Sequence, residues 1–456
     1  MIRAGSSGEP VDTTARPGNG PGERLRFAPM NRSLWAVLAG TFTLRFSTGL
    51  TGAMLGSYLA TLPEHGGQPV DPFVVGMFSA LFYLAELVLS PLFGILSDRL
   101  GHHRVMLYGP AFGAVAVIIT AFTTNFVLLG GTRLLEGAST AASIPSILGY
   151  IAMVTANDQV LRGKTVARFE GATLLGLGCG FIVAPILFSA IGPAAFLVNA
   201  VIYGISFLIY LRGVEDPAGE AETLTAQHYG VRRYGTLLRS AHVWLLAPTW
   251  IAVNASIGLW FSQSIFQLWS RNPRFPDQLL HQGFEPIQIS IGAAAVGLVF
   301  GAGLLYWGGR FKRLRRTTII LYGIGGGAVM VVAGIAINHS AGLPVVVPVG
   351  AALVAIFGLF VMAGATPAAL GLLADVSERF PADRGAIMGL YSVFLALGQI
   401  GGALVGGVAA GIRGIDGMLV ATLVLLLLAL PFLARLRHDE HYVGGPETAA
   451  ILDGET

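Results

Sequence analysis

Gly94-Ile95-Leu96-Ser97-Asp98-Arg99-Leu100-Gly101-His102-His103-Arg104 is a short charged stretch set between two long apolar runs. The run before it covers roughly 72–97 and the run after it roughly 104–123, each near the ~20 residues that a helix needs to cross hydrocarbon. Lipid offers no hydrogen bonds, so a spanning segment must satisfy its own backbone, and an open strand cannot. Both runs are therefore read as helices, and the charged stretch as the water-facing turn that joins them.

Outward from this hairpin the pattern repeats. Apolar spans are expected at roughly 33–62, 72–97, 104–123, 126–155, 166–189, 193–211, 243–269, 286–308, 317–337, 343–373, 384–410 and 415–434. Composition agrees, since 54% of the 456 residues are hydrophobic and only 12% are charged, about half the usual charged fraction of a soluble domain. The 62 glycines suit helices that approach one another closely in a membrane. Cys179 is the single cysteine, which excludes an internal disulfide framework. Of the 28 Lys and Arg residues, 23 fall on the side of the Gly94–Arg104 turn; Arg271, Arg274 and Arg413 lie opposite, and Arg45 and Arg133 lie within spans. Basic loops mark the cytoplasmic face, so both termini are expected there.

The resulting expectation is an all-α membrane protein of twelve transmembrane helices in two pseudo-symmetric six-helix bundles. Residues 1–31 read as a disordered cytoplasmic tail with no signal peptide. Residues 32–211 form the N-terminal bundle, 212–242 a cytoplasmic linker, 243–434 the C-terminal bundle and 435–456 a second tail. A polar linker between two similar halves is the sequence face of a transporter that rocks one half against the other. The expected setting is the inner cell membrane, as a monomer in the lipid bilayer.

The Gly94–Arg104 turn resembles the loop signature of the major facilitator superfamily: Gly, three residues, Asp-Arg, one residue, Gly, then basic residues. Gly94, Asp98, Arg99, Gly101 and Arg104 carry the match, and His102 and His103 depart from it where the family prefers Arg or Lys. Gly94 and Gly101 permit close helix approach and a sharp turn. Asp98 can accept from free amides at the start of another helix. The resemblance puts that partner at the eleventh helix, near Arg384-Gly385, which would latch the two halves. Gly308 to Arg315 is a weaker copy that lacks the Asp.

Two further stretches join the resemblance. Arg133-Leu134-Leu135-Glu136-Gly137 is similar to the family's Arg-x-x-Gln-Gly motif with Glu in place of Gln, and in proton-linked members that Arg lies near the coupling site. The fifth span, with Gly176, Gly180 and Pro185, resembles the antiporter signature, although Ala184-Pro185 stands where the family has Gly-Pro. The likeness therefore implies a drug/proton-antiporter type of twelve-helix transporter.

Ionisable residues inside hydrocarbon are costly and are functional candidates. At about 1.5 Å of rise per residue, Arg45, Glu86 and Glu136 each fall roughly 15–20 Å from the start of their spans, near the midplane. Arg133 lies one turn from Glu136 on the same helix face. Arg45 and Arg133 set against Glu136 make a neutralised cluster, with Glu86 joining it or standing alone. Either glutamate could bind and release a proton, and a fixed structural ion pair is the alternative. Asp375 and Glu170 read as loop partners of Arg379, Arg384 or Arg168, and Asp158 as a partner of Arg162.

The second half offers no midplane charge. Its seventh span supplies Asn254, Ser256, Trp260, Gln263 and Gln267, and its tenth Phe357, Phe360 and Met362. A largely apolar wall with a few hydrogen-bonding groups suits an amphiphilic small molecule better than a sugar. No phosphate-cradling Gly-Lys-Ser/Thr loop and no Cys/His metal spacing occurs, so no cofactor and no metal is expected. The basic residues are spread over seven segments, which excludes nucleic-acid binding. The chain reads as a non-enzymatic, proton-coupled exporter of small amphiphilic compounds working by alternating access. The alternatives are an uptake symporter or uniporter for a small organic anion, a lipid translocase, and a transporter-like sensor.

Overall fold

The computed structural model describes residues 32–156, 158–215, 245–269, 271–311, 313–379 and 384–438; side chains at 159, 374, 376–379, 384–389 and 391 fall outside this description. Residues 1–31, most of the expected linker and the expected second tail beyond 438 also fall outside it, while 435–438 continue the last helix. Twelve α-helices are described: α1 (Arg32–Ala60), α2 (Pro72–Leu100), α3 (His102–Phe122), α4 (Phe126–Val154), α5 (Gln159–Ile191), α6 (Ala194–Gly213), α7 (Ala247–Trp269), α8 (Pro286–Gly308), α9 (Arg316–Asn338), α10 (Val346–Met362), α11 (Ala365–Arg379) and α12 (Arg384–His438). No strand occurs among the described residues.

Nine of the described helical stretches are long and apolar enough to cross a membrane. They do not map one-to-one onto the expected spans. α10 and most of α11 make one candidate stretch, Val346–Leu373. Between them the helix is interrupted at 363–364, where Pro367 has no N–H to offer the Ala363 carbonyl. α12 is a 55-residue element, which if straight would be about 82 Å long, far beyond a hydrocarbon core of ~30 Å. It folds back at Arg413 and Gly414, and Gly414 takes φ 60, a left-handed conformation that suits glycine. Its two arms correspond to the expected spans 384–410 and 415–434.

Local chemistry sets the helix starts. Asp71 accepts from the Phe73 N–H at 3.0 Å, with Pro72 in the first turn of α2. Asn125 caps α4 through the Val127 and Leu128 amides. Asp158 caps α5 through the Leu161 amide at 2.8 Å, and for this reason the helix begins about two turns before the expected 166. The Asp158–Arg162 pair read from sequence does not form among the described residues. Arg162 donates instead to the carbonyls of Ala152, Thr155 and Ala156 at the end of α4.

Within α1–α6, α1 packs on α5 and α6, and α4 packs on α2 and α3. In the remainder, α7 packs on the first arm of α12, and α9 on α10. The two groups meet through α2 with α12, α5 with α8, and α1 with α7. Ile265 and Ile289 share a buried cluster with Leu50, Tyr58, Phe188 and Phe196 at the end of the molecule away from the termini. The clusters at the terminus-bearing end, around Leu34 and Tyr150 and around Trp250 and Leu372, stay within their own groups. The halves are thus joined at the far end.

Candidate functional site

The close approach of α2 to α4 builds the charged centre. A methyl group on Gly137 would overlap the Phe82 carbonyl, so glycine at this position lets the two backbones touch. Arg133, one turn before it, and Glu136, next to it in sequence, form a buried ion pair across i and i+3. They are 7% and 3% exposed. The Arg133 guanidinium also stands 5.1 Å over the Phe82 ring. The pairing is incomplete, because Arg133 Nε and Glu136 Oε1 are buried without a hydrogen-bond partner among the described residues.

Arg45, on α1, is 8% exposed and makes no ion pair with Glu136 among the described residues. The expected three-member cluster is therefore a bonded pair plus a separate cation. Arg45 acts through space on Glu86 of α2 and on Glu170 of α5. Glu86 is half-buried, so this cation gives it the basic neighbour that its own helix lacks. Sequence reading assigned Glu170 to a loop bridge with Arg168; it lies inside α5 within reach of Arg45's field. Tyr83 and Tyr203 were missed in the sequence, yet both interact electrostatically with Arg133. A tyrosine on an apolar helix carries no signal of where it points, so only the fold could find them.

The α5 motif has a packing role. A methyl group on Gly180 would overlap the Phe46 carbonyl, and one on Gly176 would meet Phe42 and Arg45. These glycines bring α5 onto the segment of α1 that carries Arg45. Pro185 is buried one turn further along.

The polar residues of α7 are largely engaged by protein. Asn254 donates to the Trp250 carbonyl at 2.9 Å. Trp260 donates through Nε1 to Thr422 of α12 at 3.0 Å. Gln263, 0% exposed, donates to the Pro72 carbonyl at 2.9 Å. Gln267 in turn donates to Gln263 Oε1. The Gln263–Pro72 bond ties α7 to the start of α2, and it is the one hydrogen bond between the two halves among the described residues. Phe181 on Phe261 and Phe188 on Trp269 add edge-to-face contacts across the same junction. Phe357 and Phe360 lie elsewhere than expected. With Tyr306, Trp307 and Tyr322 they line a groove of about 450 Å³ between α8, α9 and α10, which shares no residue with the charged pair.

At the Gly94–Arg104 turn, Gly101 has φ 95 and makes the sharp corner between α2 and α3. Gly94 has room to spare, since a methyl there would meet only Pro145 at 3.8 Å. Asp98, Arg99 and Arg104 are exposed, and Asp98 has no hydrogen bond or ion pair among the described residues. Beyond their helical backbone, nothing of Arg384 and Gly385, where its expected partner lies, is among them. The two histidines that break the family pattern are buried anchors. His102 Nδ1 lies 3.2 Å from Ser97 Oγ, and His103 Nε2 donates to the Tyr210 carbonyl at 3.0 Å. In the second half, Asp375 forms an ion pair with Arg316 at the start of α9.

The sequence profile of the Major Facilitator Superfamily matches residues 37–272, more than half of the chain. The chain belongs to this superfamily. It is a multi-pass membrane protein. Over 284 residues it is 24% identical to the quinolone resistance protein NorA of Staphylococcus aureus, a match covering 60% of this chain and 65% of NorA. It is 25% identical over 191 residues to a multi-drug resistance efflux pump PmrA homolog of Lactococcus lactis, covering 39% of this chain and 45% of that protein. These matches span less than two thirds of either relative. The crystal structure of the nucleoside transporter NupG superposes with a TM-score of 0.67 at 17% identity, covering 89% of this chain and 99% of NupG. That likeness concerns the fold.

Proposed function

We propose that this transporter exports small amphiphilic compounds in exchange for protons. The observation that carries the reading is the buried Arg133–Glu136 pair, whose Glu136 Oε1 has no hydrogen-bond partner among the described residues. A buried polar atom left unpaired in a native structure calls for an explanation, and a proton on Glu136 supplies one. Protonation weakens the ion pair and frees Arg133, and deprotonation restores it. Arg45 and Glu86 form a second charged couple on α1 and α2 that can share the proton's path. NorA and the PmrA homolog bear names of resistance and efflux proteins, which supports export over uptake.

Around this centre we infer twelve membrane crossings, with α1 and α7 as crossings in spite of their polar residues. The termini lie in the cytoplasm of an inner-membrane monomer, and the segment 212–242 links two six-helix halves. Asp98, Arg99 and Arg104 latch the halves on the terminal side in the opposite state of the cycle. A second reading, uptake of a small organic anion, draws on Arg45, which is buried without an ion pair among the described residues.

Proteoliposomes with an imposed pH gradient test the proposal on wild type, Glu136→Gln and Glu86→Gln. Gradient-driven transport of a lipophilic cationic dye should be lost in Glu136→Gln, with dye binding retained. Full gradient dependence in both variants overturns proton coupling through these carboxylates. Gradient-independent accumulation of an organic anion that needs Arg45 would favour the second reading.

A further inference from the structure

We propose a divalent transition-metal site, of the kind zinc occupies, at the far end of the second half, with Asp277, His339 and Asp416 as ligands. The three come from three different elements. Asp277 lies in the connection between α7 and α8, His339 caps the end of α9, and Asp416 opens the second arm of α12. One ligand atom from each lies within 4.8 Å of the other two. Tetrahedral zinc with bonds of about 2.0–2.2 Å sets its ligand atoms roughly 3.4 Å apart, so modest side-chain rotation closes the site. His339 Nε2 hydrogen-bonds Asp416 Oδ2 at 2.8 Å, and zinc would take the place of the shared proton while the two atoms move slightly apart. Two carboxylates with an imidazole suit zinc better than magnesium, which favours oxygen ligands and retains water.

Two features separate this cluster from a chance gathering of surface charges. Asp416 is 7% exposed, and its carboxylate is held from behind. Asn338 Nδ2 donates to Oδ1 at 2.7 Å, and Gln278 Nε2 donates to Oδ2 at 3.3 Å. Gln278 also accepts from the Ile415 and Asp416 amides, fixing the start of the arm. Such outer contacts orient a ligand and are a regular part of metal sites.

The second feature is His281. It is 1% exposed, and neither ring nitrogen has a hydrogen-bond partner among the described residues. Its Nε2 edge is turned to Gly414, two residues before Asp416. A water on a cation held by Asp416 would give this ring a partner. Bound metal would fasten the α7–α8 connection, the end of α9 and the α12 turn together on the face where the two halves are joined.

The test uses full-length, tag-free protein in detergent, with ZnCl2 as the probe and MgCl2 as the control. Zinc should raise the Tm in a saturable manner with one ion per chain, and magnesium should not. Asp277→Asn and His339→Gln, made singly, should each weaken zinc binding by at least tenfold in competition with a chromophoric chelator. Asp416 is left intact because it also holds Asn338 and Gln278. Each variant's Tm without zinc and its elution profile report folding, and a variant that fails is replaced by Asp277→Ala or His339→Ala. No saturable Tm rise in the wild type overturns the site. So does a rise that persists undiminished in the folded variants, because zinc would then bind elsewhere.

Discussion

Gln263→Leu isolates the hydrogen bond that crosses between the halves. Leucine nearly preserves the side chain's volume, so the packing at this fully buried position is largely kept. Two bonds are lost, the one to the Pro72 carbonyl at 2.9 Å and the one accepted from Gln267 at 3.2 Å. Only the first joins the halves, so only it biases the closed arrangement of the far end. A net hydrogen bond contributes about 1 kcal/mol, which shifts a two-state ratio about fivefold towards the open arrangement. The lone native Cys179 makes the assay clean. In a Cys179→Ser background, a cysteine at Phe181, which meets Phe261 across the junction, reports access from the side opposite the termini. Labelling by an impermeant maleimide applied to that side should be about five times faster with Gln263→Leu than without it. Equal rates in two well-folded proteins would show that this bond does not hold the far end shut.

Further expectations follow from the charged centre and the helix contacts. Arg133→Gln leaves Glu136 as a buried carboxylate without its cation, a loss of about 3 kcal/mol or more; adding Glu136→Gln should recover most of it. Thermal unfolding of the four proteins of the cycle checks this, and additive losses would mean the pair is not coupled. Gly180→Val drives a side chain into the Phe46 carbonyl, which should cost about 1–3 kcal/mol and lower the Tm. An unchanged Tm would mean that α1 and α5 are not held at this distance.

The all-helical membrane architecture was open to sequence reading because the bilayer leaves few choices. A run of about twenty apolar residues must be a helix, and the runs at 72–97 and 104–123 became α2 and α3. Gly101 could be placed at a corner because the spacing to Asp98 and Arg104 left a tight turn there. The Arg133–Glu136 pair was legible because residues three apart share a helix face whatever surrounds them. The partners of Arg45 and the use of Gln263 were not legible, since both depend on which helices are neighbours. His102 and His103 were visible as departures from the pattern, but their burial against Ser97 and Tyr210 was not.

By itself, then, the sequence determined the things that local geometry and hydrophobicity control: helices in a membrane, the basic side, the family's turn and one intrahelical ion pair. Tertiary structure alone decided which end holds the halves together, that Arg45 stands apart from Glu136, and that Asp277, His339 and Asp416 converge. The reason is the same in each case. Periodicity fixes relations within a helix, whereas contacts between residues such as His339 and Asp416, 77 positions apart, exist only after packing has chosen the neighbours.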